Sequence, residues 1–301
     1  MKRAVILLNM GGARSKDELR EFLKNMFLDK RIINSHARFF VSFFISNLRT
    51  PKVWRDYEKI GGSKIYEHTQ KLTNKLNMLS KDNYNAFFAM RYTKPNVVQV
   101  LKDKNYDEVL LFPLYPHLSS TTTLSSFDDA DIFLKGKNIK VKKINDFFED
   151  QRFNETIITS IKKCYSKGAH LIFSAHSLPL SIAKNDLYPI HIKKHVEILS
   201  QMLTCKGMEF ENIHLAYQSK LGPVKWLRPN IGDVLRSLTR EKVIVYPLSF
   251  TIENSETAFE LELHYANIAK NCGVASYKVC KVQNSGDDFV KFIDEKIRES
   301  F

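Results

Sequence analysis

Apolar positions along the chain fall into short β-prone runs separated by stretches of helical spacing. The first run covers residues 5–9. Leu19, Phe22, Leu23 and Met26 then recur at three- and four-residue intervals, which predicts a helix over 17–27. The same reading predicts a strand at 84–90, a helix at 97–104 and a strand at 109–115. Three more strands are predicted at 170–174, 214–218 and 243–248, with helical spacing between them. Strand–helix alternation of this kind predicts an α/β protein with parallel sheets covered by helices on both faces.

The pattern also repeats. "KPNVVQVLKDKNYDEVLLFPL" (94–114) aligns without a gap on "RPNIGDVLRSLTREKVIVYPL" (228–248). Each reads as turn, helix, loop and buried strand, closed by a proline that cannot donate to a ladder. "VILLNMGG" and "LIFSAHSLP" share a strand-to-turn pattern as well. One unit used twice explains these matches, and predicts domains at 1–150 and 151–301, with the helical tail 287–301 packing back onto the first. Composition changes at "DFFEDQRFNE", around 148–153. Open α/β sheets bind ligands beyond the carboxyl ends of their strands, and clefts between domains are common small-molecule sites.

Four stretches carry candidate chemistry. In "HLIFSAHSLPL", Pro179 ends the strand, so His176 stands at its carboxyl end, with Ser174 and Ser177 near enough to orient the ring. It is a general base, a metal ligand or a structural histidine. In "YPLSFTIENSETAFELELHY", Ser255 is the expected cap of a helix carrying Glu256, Glu260 and His264 at i, i+4 and i+8. Those three form either a solvated face or a path for a divalent cation. In "FPLYPHLSSTTTLSS", hydroxyls crowd a strand end, either as caps or as donors to a carboxylate or phosphate, with Arg91 and Tyr92 near by. The aromatic segment "HARFFVSFFISNLR" (36–49) reads three ways: a core helix, a wall for a flat apolar ligand, or a lip at a membrane surface.

Length and charge narrow the classes. A chain of 301 residues holds two domains, and a formal charge of +13 favours an anionic partner: nucleic acid, a membrane surface or an acidic small molecule. No nucleic-acid-binding motif is present, so nucleic acid ranks last. Cys164, Cys205, Cys272 and Cys280 form no C-x-x-C and read as reduced thiols of a cytosolic protein. The apolar start lacks a cleavage pattern, and no run reaches the ~20 apolar residues of a membrane span.

Together, "LNMGG", "FLDKRII", "RTPKVWRDYEKIGGSKI", "MRYTKP", "YPHLSSTTT", "FSAHSLP", "AYQSKLGPVKWLRPN" and "FTIENSETAFELELHY" resemble, in order, the blocks of the ferrochelatases. These lyases insert ferrous iron into protoporphyrin IX at the end of haem synthesis. The resemblance implies two similar Rossmann-like domains with the porphyrin in the cleft between them. It implies His176 and Glu256 as the catalytic pair, and His176, Glu256 and Glu260 as contacts of the metal. Met10, Arg91, Tyr92, Tyr115, Ser119, Trp226 and Phe250 match residues that line or support the porphyrin pocket, with Asn254 beside them. Asn254 stands where the family often carries histidine, and an imidazole is expected to be tolerated there.

Fe²⁺ is then a substrate, with no organic cofactor. The chain stops before the cysteine-bearing extension of animal members, so no iron–sulfur cluster is expected. The "LNMGG" start is closer to protoporphyrin-using members than to coproporphyrin-using ones. Expected partners are protoporphyrin IX and ferrous iron, with no nucleic acid. The expected location is cytoplasmic, with peripheral contact at the inner membrane face. The alternatives are a cobalt or nickel tetrapyrrole chelatase, a non-catalytic tetrapyrrole or metal carrier of the same fold, and a membrane-surface scaffold.

Overall fold

The structure, a computed structural model, describes residues 1–36, 38–219, 222 and 224–301. It divides into two compact units, Met1–Asp146 with Asn284–Phe301, and Phe147–Gln283. The first is built on β1 (Arg3–Asn9), β2 (Asn85–Met90), β3 (Glu108–Pro113) and β4 (Lys140–Lys143), in the order β2-β1-β3-β4. The second uses β5 (Ala169–His176), β6 (Ile213–Gln218), β7 (Lys242–Pro247) and β8 (Ser276–Val279), in the order β6-β5-β7-β8. All pairings are parallel.

Corresponding strands thus occupy corresponding places, as the internal repeat requires. The registers agree in detail: Leu8 pairs with Pro113 as Ser174 pairs with Pro247. Pro95 and Pro229, aligned in the repeat, both follow cis peptide bonds. By the same register, Met10 is the counterpart of His176, and Arg91 that of Gln218.

The inner strands are continuous apolar runs because helices cover both faces of a parallel sheet. Ala4 to Leu7 and Val109 to Phe112 are wholly buried. Of the four edge strands, the last in each sheet differs. "KVKK" of β4 and "SYKV" of β8 are half-exposed and polar, and apolar runs did not announce them. The helix expected over 97–104 is shorter, Val97–Leu101, closed at its start by reciprocal bonds of Asn96 and Gln99.

The aromatic segment lies in a helix, Arg38–Glu58, with a face opposite to the core expectation. Ser42, Ser46 and Thr50, at i, i+4 and i+8, are its buried side, packed with the helix Lys16–Leu28. The Ser42 hydroxyl donates to the Lys24 carbonyl at 2.8 Å. Small polar residues allow close helix approach, and the phenylalanines are left outside: Phe40 is 73 % exposed and Phe43 62 %.

The last helix, Asp287–Ser300, belongs to the first unit. It buries Phe289, Phe292, Ile293 and Ile297 and packs with the helix Ile65–Ser80. The Tyr84 hydroxyl donates to Asp294 at 2.6 Å. After the third strand of each unit the chain enters a π-helix, Ser120–Leu124 in the first and Glu256–Tyr265 in the second. Among the described residues, no helix is long and apolar enough to cross a membrane.

Candidate active site

β5 runs as far as His176, whose side chain emerges at the carboxyl edge of the second sheet. Two neighbours fix its backbone. The amide donates to Ser249 Oγ at 3.1 Å, and the carbonyl accepts from the Tyr188 hydroxyl at 3.0 Å. The ring is oriented by Glu256, with Nδ1 2.7 Å from Oε2. The two serines expected to orient it do not touch it: Ser174 donates to Gln218 Oε1 at 2.5 Å, and Ser177 to the Leu227 carbonyl at 3.4 Å.

Glu256 is held from a second direction by the end of β6, the strand beside His176. Gln218 Nε2 donates to its Oε2 at 3.3 Å, and Ser219 Oγ stands 3.0 Å from the same oxygen. Ser219 Oγ also lies 2.6 Å from Glu260 Oε2. The dipeptide Gln218-Ser219 was visible in the sequence only as part of a family block. The rule that ligands meet strand ends would have singled it out, since Gln218 pairs with His176 in register. Lys220, the third residue of that Gln-Ser-Lys block, lies outside the described residues.

The helix carrying the acids differs from expectation in two ways. Its cap is Asn254, not Ser255. Asn254 Oδ1 accepts from the amides of Glu256 (2.8 Å) and Thr257 (3.3 Å), and Thr257 Oγ1 accepts from the Asn254 amide at 3.0 Å. The residue read as a replaced imidazole is thus the acceptor that starts the helix. The helix is also π, with i→i+5 bonding, so residues four apart do not stack as on an α-helix. Glu256 and Glu260 still share Ser219, but His264 is exposed, edge-on to Tyr265 at 5.2 Å. The three-rung ladder reduces to two carboxylates.

These groups titrate as a set. Burial lowers the affinity of His176 for its proton, but the charge and hydrogen bond of Glu256, with Glu260 behind it, outweigh this and hold the imidazole above its ordinary pKa. Burial raises Glu256, but His176, Ser219 and Gln218 outweigh it and hold the carboxyl low. Glu260 is pushed up to about 7 by burial and by the neighbouring Glu256 charge. Ser219 has one hydroxyl proton for two carboxyl groups. When Glu260 is protonated, its O–H donates to Ser219 and Ser219 donates to Glu256, giving a hydrogen-bonded chain from Glu260 to His176.

The first unit repeats this layout without its chemistry: Met10 stands where the second has His176. Its strand-end polar groups form a cluster of their own. Arg91 reaches Asp29 (3.1 Å), Asp129 (3.3 Å) and Ser125 (2.9 Å), and the buried Tyr92 hydroxyl donates to Asp29 at 2.9 Å. Arg91 and Tyr92 border a cavity of about 310 Å³ with Asn25, Lys94 and Asn96.

The hydroxyls of 112–126 are used locally. Ser119 accepts from the Thr121 amide, Thr123 donates to the His117 carbonyl, Ser125 bonds Asp29, and Ser126 meets the Tyr115 hydroxyl. Ser119 is thus the cap of the π-helix Ser120–Leu124, while Ser125 and Ser126 bond other side chains of the first unit. Phe250 closes a turn onto Pro247, and Trp226 bridges its backbone to Pro179, its buried indole N–H having no partner among the described residues.

Two parallel four-stranded α/β units form a chelatase-type fold, with a histidine–carboxylate pair at a strand edge of the second. Solved structures of that kind resemble it throughout: "SirB from Bacillus subtilis with Fe3+" at a TM-score of 0.60 and 10 % identity, covering 100 % of this chain and 96 % of that one. CbiX, described as the terminal enzyme of sirohaem biosynthesis in denitrifying bacteria, matches at a TM-score of 0.56 and 13 % identity, covering 100 % of both chains. At those identities they show the fold alone.

The sequence goes further. Residues 2–301 match the ferrochelatase family. The ferrochelatase of Campylobacter fetus subsp. fetus is 44 % identical over 99 % of both chains. A ferrochelatase of Helicobacter pylori is 41 % identical over 99 % of this chain and 93 % of its own. The chain belongs to the ferrochelatase family, the metal–porphyrin lyases that insert iron into protoporphyrin in haem synthesis.

Proposed function

We propose that His176 and Glu256 carry the insertion step, with Glu260 as the next contact of the incoming ferrous ion. The 2.7 Å contact between His176 and Glu256 at the strand edge is the observation that carries this reading. Insertion exchanges a dication for two pyrrole protons, so the site must accept protons where it receives positive charge. In the free protein the pair favours an imidazolium facing a carboxylate, since Glu256 holds the imidazole above its ordinary pKa and His176 holds the carboxyl below its own. A ferrous ion approaching Glu256 and Glu260 favours the deprotonated ligands and releases the imidazolium proton from Nε2 to solvent. Neutral His176 then accepts the two pyrrole protons in turn through Nε2, the nitrogen that Glu256 leaves unengaged, passing the first to solvent before taking the second. Ser219 offers a route from Glu256 to Glu260, whose pKa of about 7 suits a group that takes up and loses protons at neutral pH.

Met10, Tyr115, Ser119, Trp226 and Phe250 are the porphyrin contacts in this reading. Arg91 and Tyr92 support them through Asp29. Iron is the substrate, and the proton chemistry assigned to His176, Glu256 and Glu260 requires no organic group and no iron–sulfur cluster. The exposed phenylalanines of 39–44 support peripheral contact with an anionic membrane face by a cytoplasmic protein.

Anaerobic incubation of the purified protein with Fe²⁺ and protoporphyrin IX tests the reading through the appearance of metalloporphyrin absorbance. Turnover that His176→Ala abolishes while remaining folded supports it. Binding of porphyrin without turnover indicates a carrier, and wild-type-like turnover in His176→Ala removes the histidine from the mechanism. Parallel runs with Co²⁺ and Ni²⁺ separate ferrochelatase from a chelatase of another ion, since similar ligands serve several divalent metals.

A further inference from the structure

His176 is the last residue of β5, and on one side its neighbouring strand has already ended. The ladder with β7 closes at Ser174 and Pro247, with a bond from the Leu248 amide to the Ser174 carbonyl at 2.8 Å. Alternate residues of a strand turn their amide and carbonyl towards the same neighbour. Those of His176 therefore face the side where β7 no longer runs, and they need other partners.

Two side-chain hydroxyls supply them. The His176 amide donates to Ser249 Oγ at 3.1 Å, and its carbonyl accepts from the Tyr188 hydroxyl at 3.0 Å. The two hydroxyl oxygens stand 2.6 Å apart. A carbonyl only accepts, so the Tyr188 proton goes to His176 and the Ser249 proton goes to Tyr188. The result is a closed cycle of three hydrogen bonds that begins and ends on the backbone of one residue. Hydrogen bonds linked in this way polarise and strengthen one another.

The hydroxyls arrive on separate elements. Ser249 lies just past the end of β7. Tyr188 opens the helix Tyr188–Cys205, where its amide donates to Asp186 Oδ1 at 2.9 Å. That helix buries Ile192, His195, Leu199 and Leu203 along one face, and His195 Nε2 lies 2.8 Å from Asn154 Oδ1. The buried Tyr188 is thus presented to the strand end by a packed helix, as a supporting side chain must be if it is to hold another in place.

The corresponding strand end of the first unit is held differently. Met10, the counterpart of His176, donates its amide to Asn9 Oδ1 at 2.9 Å, and its carbonyl accepts from the Tyr92 amide at 3.0 Å. The counterpart of Ser249 in the repeat is Tyr115, whose hydroxyl meets Ser126. The hydroxyl cycle accompanies the histidine, not the fold of the repeated unit.

We propose that Tyr188 and Ser249 are positioning residues for metal insertion, which act by fixing the backbone of His176 and with it the place of Nε2. The inference rests on His176 as the proton acceptor of the reaction. Glu256 sets the rotation of the imidazole, and the hydroxyl cycle sets the direction in which the side chain leaves the strand. A reacting group displaced by about 1 Å loses on the order of a hundredfold in rate, so a strand end released from its cycle costs turnover without removing any group that meets substrate.

The test is anaerobic steady-state insertion of Fe²⁺ into protoporphyrin IX by Tyr188→Phe and Ser249→Ala, each substrate varied separately, with His176→Ala measured alongside. Each variant removes one hydroxyl and opens the cycle. Each is expected to lower kcat about tenfold or more, with the KM for iron and for porphyrin within about twofold of wild type. The double variant is expected to lose less than the product of the two single losses, because the cycle opens only once. A role in stability alone would lower the urea midpoint and leave the kcat of the folded protein unchanged. A folded Tyr188→Phe or Ser249→Ala protein with kcat within about twofold of wild type overturns the proposal. If His176→Ala is inactive in the same assay, that result leaves the role of the histidine standing. Wild-type-like turnover in His176→Ala would overturn that role, and the proposal with it. If Tyr188→Phe does not fold, Ser249→Ala decides.

Discussion

His176 and Glu256 lie 80 positions apart in the chain, yet Nδ1 and Oε2 are 2.7 Å apart. One ends the central strand of the second sheet, and the other opens the π-helix that follows β7. The contact gives each partner a charge it would not hold alone at that depth, and it sets a pH window. A histidine whose folded pKa is raised contributes stability that is fully present below its unfolded pKa and is lost as pH rises through the folded one. A carboxyl whose folded pKa is lowered contributes stability present above its unfolded pKa, lost as pH falls through the folded one. The two overlap between about pH 4.3 and about pH 6.5. The urea midpoint of His176→Ala should therefore fall furthest below wild type at mildly acid pH, and the gap should shrink towards pH 9. A gap independent of pH would mean that the pair is uncharged.

Glu260 has the opposite sign from Glu256. Its pKa is raised to about 7. Stability from its neutral form is complete below the unfolded carboxyl value, about 4.3, and is lost as pH rises through 7. Glu260→Gln keeps the shape and removes the charge. It should be more stable than wild type above pH 7, with no gain near pH 4. In steady-state kinetics it should raise the apparent KM for iron and leave that for porphyrin nearly unchanged. A shift of the porphyrin KM alone would assign Glu260 to the porphyrin pocket.

Asn254 caps the π-helix with an oxygen that accepts two amides. Asn254→Ala should cost about 1 kcal/mol, the usual loss of an N-cap. Asn254→Asp keeps the acceptor and should stay close to wild type. An imidazole lacks an oxygen at that position, so Asn254→His should lose stability too, against the tolerance that the family pattern suggests. Denaturant titration at constant slope measures all three, and an unchanged Asn254→Ala would show that the cap contributes nothing.

Much of this layout could be read along the chain. Residues 4–8, 109–112 and 243–246 announce inner strands because each is apolar on both faces, and the duplicated Pro-Asn and Pro-Leu positions expose the repeat. β4 and β8 stayed hidden because each is a four-residue, half-exposed edge strand with little apolar surface, whereas the edge strands β2 and β6 are longer and more buried. The outward phenylalanines of Arg38–Glu58 contradict the usual burial of that residue, since Ser42, Ser46 and Thr50 take the inner face instead. The π-helix was out of reach because residue spacing does not encode i→i+5 bonding, and with it went the Asn254 cap and the fate of His264. His176 and Glu256 were found by strand-end position and family blocks. Their link through Gln218 and Ser219 needed coordinates, because β6 approaches β5 only after folding.

Those phenylalanines, flanked by Arg38 and Arg49, should bind anionic vesicles more strongly than neutral ones. Basic residues at such a surface contribute about 1 kcal/mol each, and salt screens them. Phe40→Ser with Phe43→Ser should weaken flotation with anionic vesicles and leave iron insertion into solubilised porphyrin intact. Equal binding to neutral and anionic vesicles, or no effect of the double substitution, would remove the membrane role from this helix.

Glu256→Gln tests the account most directly, because it preserves shape and removes the charge that orients His176, meets Ser219 and faces the incoming ion. Anaerobic steady-state insertion of Fe²⁺ into protoporphyrin IX, with each substrate varied separately, should show kcat falling by about a hundredfold or more, the scale of a lost acid–base partner, with the porphyrin KM near wild type. A folded Glu256→Gln protein turning over within a few-fold of wild type would contradict the assignment of this strand edge as the site of insertion.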